Sequence, residues 1–229
     1  YADSCVGISV ELVSVNFFRK PVPAAGSGFV ITDVGYILTN YHVIEDASKS
    51  TVTFTDGTSH TATLVGGEKD SDIAVIKIDA TGLNPVIIGD SDQMYVGETV
   101  ATIGNPLGEL TFSLSDGVIS ALNRTITMTD GSQMNMIQTN CTINSGNSGG
   151  PLFNLYGEVI GIVSAKYSSS TGDIFSNTAS VEGLGFAIPM NDVSDMITDI
   201  VENGYVTGKP YLGISVESVA ADVQSYGIP

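Results

Sequence analysis

The chain has 229 residues, 42% of them hydrophobic, with 8 Lys+Arg against 25 Asp+Glu and a net charge of −17. That apolar share supplies a real core and excludes general disorder, and the length fits one or two domains or a single all-β unit. The acid excess excludes a phosphate-tracking nucleic-acid face and argues against docking on anionic lipid; its ordinary consequence is solubility.

In chain order, short apolar runs broken by turn signals dominate. Val6 to Val13 has β-branched residues and partial alternation. Thr51 to Thr55 runs into Asp56-Gly57, a hairpin signal, and Ala62 to Val65 follows. Ile73 to Ile78 is continuously apolar apart from Lys77. Thr99 to Ile103, Gly117 to Leu122, Thr125 to Met128, Met134 to Thr139 and Glu158 to Ser164 continue the pattern. Roughly a dozen strands are predicted, an antiparallel sandwich or barrel pair. Tyr167 to Ser180 is rich in Ser, Thr, Asn and Gly and is predicted to be a long surface loop. Asn191 is the expected N-cap of a closing helix with an apolar stripe at Val193, Met196, Ile197, Ile200 and Val201, acids Asp192 and Asp195 near its start and Gly204 as its stop. After Gly208 a new strand begins, Lys209 to Val216, behind a proline break.

No stretch approaches the ~18 apolar residues of a membrane-spanning helix. A start at Tyr1 rather than Met is expected of a processed product, which leaves a removed signal or anchor open. Cys5 and Cys141 fit no zinc or CxxC spacing; one disulfide or two buried thiols are both open. Asp90-Ser91-Asp92 resembles the opening of a calcium loop without the rest of that motif, so no metal is expected, and no cofactor. Asn123-Arg124-Thr125 and Asn140-Cys141-Thr142 match the glycosylation sequon and read as chance matches.

General-base candidates are few, because His42 and His60 are the two histidines. His60 sits beside the Asp56-Gly57 turn and reads as a solvated strand or turn residue. His42 ends an apolar run, just before a polar stretch. Asn144-Ser145-Gly146-Asn147-Ser148-Gly149-Gly150-Pro151-Leu152 places a serine among glycines directly before a new strand. A nucleophile needs a sharply turned backbone and nearby N–H groups for the oxyanion. Gly146 lets its own N–H and that of Ser148 point one way, with Asn147 a third donor, and Gly149 and Gly150 are expected to leave room for substrate. A third group must orient the imidazole. Asp72, entering the apolar run, is the candidate, because a carboxylate there is costly unless paired; its rival Asp70 lies farther out.

These segments resemble the HtrA branch of the chymotrypsin-like serine proteases. The matching residues are Gly26-Ser27-Gly28-Phe29-Val30-Ile31, Ile37-Leu38-Thr39-Asn40-Tyr41-His42-Val43, Ser71-Asp72-Ile73-Ala74-Val75, Ile103-Gly104-Asn105-Pro106-Leu107-Gly108, Gly117-Val118-Ile119-Ser120-Ala121, the Ser148 turn, and Gly185-Phe186-Ala187-Ile188-Pro189. The resemblance spans Val6 to about Gly204. It implies an all-β fold, two six-stranded antiparallel β-barrels with a C-terminal helix and the site in the cleft between them. It implies a serine endopeptidase of unfolded or misfolded proteins, active in quality control outside the cytoplasm, with His42, Asp72 and Ser148 catalytic and Gly146, Asn147 and Ser148 as the oxyanion hole. The alternative is a chaperone-like binder of unfolded chains whose protease site rests inactive. A homotrimer built through N-terminal aromatics is implied, Tyr1, Phe17 and Phe18 being available, with a membrane anchor upstream and no nucleic-acid partner.

The protease domain is expected over 1–205, and 206–229 as linker and the start of a truncated PDZ domain, Tyr211-Leu212-Gly213-Ile214 resembling its carboxylate-binding loop. The chain departs from the family at Asn140-Cys141-Thr142, often Asp-Ala-Ala, and at Ser145, often Pro. Asn147 has no charge to pair with a freshly cut N-terminus, so loop rearrangement, involving Tyr167 to Ser180 and Gly104 to Leu114, is the expected route of activation. The residue six before the nucleophile, Thr142, is implied at the base of the primary specificity pocket. Ile143 and the strand Ile162-Val163-Ser164 are expected as walls. With no acid near Thr142 in sequence, cleavage after small or medium aliphatic residues is expected.

Overall fold

The computed structural model describes residues 2–12, 22–105, 112–127, 133–144, 146–165 and 183–209. The first barrel is built from β1 (Cys5–Leu12), β2 (Val22–Val30), β3 (Tyr36–Thr39), β4 (Ala47–Thr53), β5 (Ser59–Glu68) and β6 (Ile73–Ile78). Its strands run in the order β1-β2-β3-β6-β5-β4, all antiparallel, and the β1–β4 pairing closes it. Period-two alternation sends Val6, Ile8 and Val10 of β1 inward with Val30, Ile37 and Val52. In β6 both faces are buried. Ala74, Ile76 and Ile78 fill the barrel, while Ile73 and Val75 join a cluster shared with the second barrel. That is why β6 reads as an unbroken apolar run. The expected turn at Asp56-Gly57 joins β4 to β5; Gly57 has φ +85° and the Asp56 carboxylate accepts from the Thr58 N–H at 2.8 Å.

The second barrel uses β8 (Thr99–Gly104), β9 (Ser113–Thr127), β10 (Gln133–Thr139), β11 (Pro151–Phe153), β12 (Glu158–Val163) and β13 (Gly185–Pro189). The order is β11-β8-β9-β10-β13-β12, with β11–β12 closing the ring and β7 (Ile87–Ile88) paired parallel on β12. The two runs expected at Gly117–Leu122 and Thr125–Met128 lie on the single strand β9, described to Thr127. Asn123 absorbs the irregularity with φ +54°, a conformation asparagine tolerates, and the register against β10 shifts nearby.

A short helix α1 (Tyr41–Ile44) follows β3, and α2 (Met190–Asn203) follows β13 directly. α2 buries Met190, Val193, Ile197 and Ile200 in the cluster that holds Phe29, Leu38 and Val75 of one barrel and Ile103, Phe153 and Phe186 of the other. Each such aliphatic side chain contributes about 1.5–3 kcal/mol by burial. Gly204 ends the helix at φ +83°. The N-cap is Pro189, not Asn191. β13 runs straight into the helix, and Asn191 sits in its first turn, where its amide donates to the carboxylates of Asp90 and Asp92 at 2.7 and 2.9 Å. Its amide oxygen accepts from the Ser91 N–H at 3.2 Å. The Asp-Ser-Asp segment thus clamps a helix start.

Cys5 and Cys141 are separate buried thiols, packed in different clusters. Burial pushes the Cys5 thiol up to about 12 and raises that of Cys141. Among the described residues no helix is long and apolar enough to cross a membrane. Tyr1, Phe17, Phe18, the Tyr167–Ser180 loop, most of the 104–114 loop and the PDZ-like 210–229 segment lie outside the described residues.

Candidate active site

The first barrel supplies an imidazole and a carboxylate. α1 carries His42, and the turn entering β6 carries Asp72 at φ +51°, a left-handed backbone that costs about 1–2 kcal/mol outside glycine. Main-chain contacts hold that turn: the Asp72 carbonyl accepts from Asn40 Nδ2 at 2.9 Å and from the Tyr41 N–H at 3.2 Å. Asp72 is 1% exposed. Its Oδ1 accepts from the His42 main-chain N–H at 3.0 Å. His42 Nδ1 lies 2.9 Å from Oδ1 and 2.8 Å from Oδ2. A carboxylate only accepts, so Nδ1 donates to Asp72, which leaves Nε2 as the nitrogen with the lone pair in a neutral ring. Asp70, the rival, is exposed, and its main-chain N–H donates to the Glu68 carboxylate within its own turn at 3.3 Å.

The second barrel supplies a hydroxyl. Ser148 lies in a turn closed by Asn147 N–H to Asn144 O and Gly150 N–H to Asn147 O, both 3.0 Å, and by Gly149 N–H to Val163 O at 2.8 Å. Gly146 has φ +99° and Gly149 φ +85°. Asn147 spends its N–H inside the turn, which removes it from the expected donors. Among the described residues the N–H groups of Gly146 and Ser148 make no hydrogen bond. Gly149 and Gly150 do not make room for substrate. Both are buried, and a Cβ on Gly149 would strike Ser27 O and Thr39 Oγ1. Their lack of side chains lets the turn rest against the first barrel, where Ser27 N–H donates to Ser148 O at 2.8 Å. The Ser148 hydroxyl, on a residue 5% exposed, accepts from the Ala165 N–H at 3.0 Å.

The residues expected around a specificity pocket separate into two groups. Thr142 is exposed, its N–H donating to Ser115 Oγ at 2.8 Å and its carbonyl accepting from Asn147 Nδ2 at 3.3 Å. Ile143 is half-buried and reaches over Gly185, where a Cβ would come within 2.5 Å of its Cδ1. Ile162 and Val163 are both 0% exposed. Alternation on β12 directs Ile162 to the shared cluster and Val163 into the second barrel. Ser164 is also fully buried, and its hydroxyl donates to Asp72 Oδ2 at 3.3 Å. The expected wall of β12 is therefore turned to the cores, and Ser164 to the carboxylate. Sequence distance also hid Asp116, whose neighbour Ser115 accepts from the Thr142 N–H. His60 lies in β5 with its ring edge-on to Phe54 at 5.9 Å, away from this group. A cavity of about 350 Å³ adjoins His42 on the first-barrel side, lined also by Ala24, Ala25, Glu45 and Asp46.

Two residues escaped the sequence reading. Ser27 and Asn40 are buried polar side chains bonded to the nucleophile turn and to the Asp72 loop. A polar residue between two glycines in an apolar strand, or two before the histidine just past the end of one, was the available signal.

Residues 26–162 match the family described as the trypsin-like peptidase domain. The chain is 44% identical over 200 residues to "Serine protease Do-like HtrB" of Bacillus subtilis, covering 85% of this chain and 42% of that protein. It is 43% identical over 204 residues to the "Probable periplasmic serine endoprotease DegP-like" of Halomonas elongata, covering 89% and 40%. The chain thus spans about two-fifths of the length of these curated relatives. Among solved structures, "HtrA-type protease AlgW with tripeptide" superposes with a TM-score of 0.75 at 32% identity, covering 89% of this chain and 62% of that one. The match runs through both barrels, the histidine helix and the serine turn: this chain belongs to the trypsin-like peptidase family, in its HtrA/DegP branch of serine proteases.

Proposed function

We propose that the chain is the proteolytic unit of a serine endopeptidase working by acyl transfer. The observation that carries this reading is the buried Asp72 carboxylate holding His42 Nδ1 at 2.8 Å, together with a serine turn in which, among the described residues, two N–H groups make no hydrogen bond. Ser148 Oγ attacks the peptide carbonyl as His42 Nε2 takes its proton. The Gly146 and Ser148 N–H groups hold the developing oxyanion. His42 returns the proton to the leaving amine, and water then repeats the sequence on the acyl-enzyme. Asp72, itself held by Ser164, keeps the imidazole in the tautomer that leaves Nε2 free and stabilises the imidazolium that forms.

The substrates proposed are unfolded or misfolded proteins, cut after small or medium aliphatic residues bound near Thr142 and Ile143, in protein quality control. An extracytoplasmic location follows from relatives named periplasmic. Homotrimer assembly, an upstream membrane tether, a protease domain ending near 205 and the opening of a PDZ domain after it belong to the same proposal.

A second reading, a binder of unfolded chains with a resting protease site, is favoured by one observation: the Ser148 hydroxyl is engaged by Ala165 N–H. Reaction with a peptidyl phosphonate separates the two. Stoichiometric labelling at Ser148, abolished in Ser148→Ala together with on the order of a million-fold of turnover, is expected of the enzyme. Binding of an unfolded substrate without labelling or cleavage would establish the binder.

A further inference from the structure

We propose that Ser27 is a positioning residue for the oxyanion turn, its hydroxyl fixing the Gly146–Asn147 peptide so that the Gly146 and Ser148 N–H groups stay available to the substrate oxygen. The proposal rests on the acyl-transfer reading above. Ser27 lies in the middle of β2 between Gly26 and Gly28 and is 1% exposed. A hydroxyl buried in an apolar strand is costly unless bonded, and alanine would fill nearly the same space without that cost. Here both roles of the hydroxyl are used: Oγ donates to Gly146 O at 2.7 Å and accepts from the Asn105 N–H at 2.8 Å. Its main chain is engaged as well, N–H to Ser148 O at 2.8 Å and carbonyl from Thr39 Oγ1 at 2.7 Å.

The geometry around Gly146 gives these bonds a catalytic consequence. The Gly146–Asn147 peptide is gripped at both ends, its oxygen by Ser27 and its N–H by Asn144 O at 3.0 Å. The next peptide is gripped through Asn147 O by Gly150 N–H at 3.0 Å. Gly146 itself sits at φ +99° with no Cβ to restrain rotation. Ser27 thereby holds the C-terminal side of Gly146. Without its hydroxyl the Gly146 carbonyl loses its donor, the peptide plane can turn, and the two N–H groups no longer converge. Such donors act mainly on the transition state, so the loss belongs in kcat rather than KM.

The test compares Ser27→Ala with Thr39→Val, which removes a hydrogen bond at the same residue, through its carbonyl, and leaves Gly146 held. Wild-type protein is first shown to hydrolyse a peptide and to take the phosphonate; failure there overturns the acyl-transfer reading itself, and the role of Ser27 with it. At a temperature where every variant is folded, Ser27→Ala is expected to lower kcat about 10- to 100-fold with KM within threefold. Its affinity for a peptide boronate, which forms a tetrahedral adduct, is expected to fall by a similar factor, while Thr39→Val stays within threefold of wild type in kcat. Should Ser27→Ala not fold, Ser27→Cys, with a weaker donor of nearly the same size, carries the same expectation. Unchanged kcat, or an equal kcat loss in Thr39→Val at matched stability, would overturn the proposal and leave the acyl-transfer reading standing.

Discussion

Replacing Asp72 by asparagine changes one atom's chemistry in a site whose hydrogen bonds dictate how the amide must sit. Oδ1 receives the His42 main-chain N–H at 3.0 Å, so that position demands an acceptor. The amide oxygen takes it, and the NH₂ falls where Oδ2 stood, 2.8 Å from His42 Nδ1 and 3.3 Å from Ser164 Oγ. Flipping the amide would set NH₂ against a main-chain N–H, at about 1–3 kcal/mol. The favoured orientation therefore donates to Nδ1, which moves the imidazole proton to Nε2, and the base can no longer accept from Ser148. Loss of this carboxylate in such a triad costs about ten-thousand-fold in turnover, about 5 kcal/mol of barrier. The assay is kcat on a fluorogenic peptide for Asp72→Asn and Asp70→Asn, with near-ultraviolet circular dichroism to show that both fold. Asp70 is exposed and its variant is expected within threefold of wild type. A slower Asp70→Asn than Asp72→Asn, or more than a tenth of wild-type activity in Asp72→Asn, would refute this assignment.

A mass-spectrometric map of cuts in casein is expected to show Val, Ala, Ile and Leu before most cleaved bonds, with discrimination among them limited to about 1–3 kcal/mol per methylene; a majority after Lys or Arg would assign Asp116 to the pocket. Native protein at pH 8 is expected to leave Cys5 and Cys141 unlabelled by iodoacetamide, both reacting after denaturation, because burial raises both thiols. For Cys5 burial lifts the folded thiol above its ordinary value of 9.0, so folding favours the protonated form and its contribution to stability is lost as pH rises from 9.0 toward about 12; a melting temperature that climbs over that window would contradict this. Gly66→Ala is expected to cost about 1–3 kcal/mol, because the added Cβ runs into Gly204 O and lies 3.1 Å from Ile200 Cγ2; an unchanged melting temperature would show that α2 yields there without penalty.

What the sequence made legible and what it hid divide along local and non-local physics. The β6 run and the Gly204 stop are local patterns, and they stand where the sequence placed them. Asn191 was misjudged because a side chain suited to capping its own helix is instead claimed by Asp90 and Asp92, a hundred residues away in the chain. The Ser148 glycines were read for the right property, absence of a side chain, and the wrong neighbour: the first barrel, not substrate, occupies the space. Ser164 was placed on the pocket because pleat direction cannot be assigned without the register of β12 against β13, which sets its neighbours.

The same distinction bears on how the site is held. Neither barrel contains it. The imidazole and carboxylate belong to the first, the hydroxyl and its turn to the second, and the separation between them is set by what joins the barrels. Apolar packing joins them through Phe29, Leu38, Ile73 and Val75 on one side and Ile103, Phe153, Ile162 and Phe186 on the other, with α2 sealing the seam. Such packing is strong but undirected; it fixes a distance without selecting an orientation. Direction comes from a few buried polar groups that cross the seam: Ser27 to Gly146 and Asn105, and Ser164 to Asp72. A half-satisfied polar network is worse than an apolar core, so these groups penalise every arrangement of the barrels but the one in which all of them are paired. On that argument the polar seam contributes orientation to the site and the apolar cluster contributes stability, and substitutions in the two should separate accordingly, the first in kcat and the second in melting temperature.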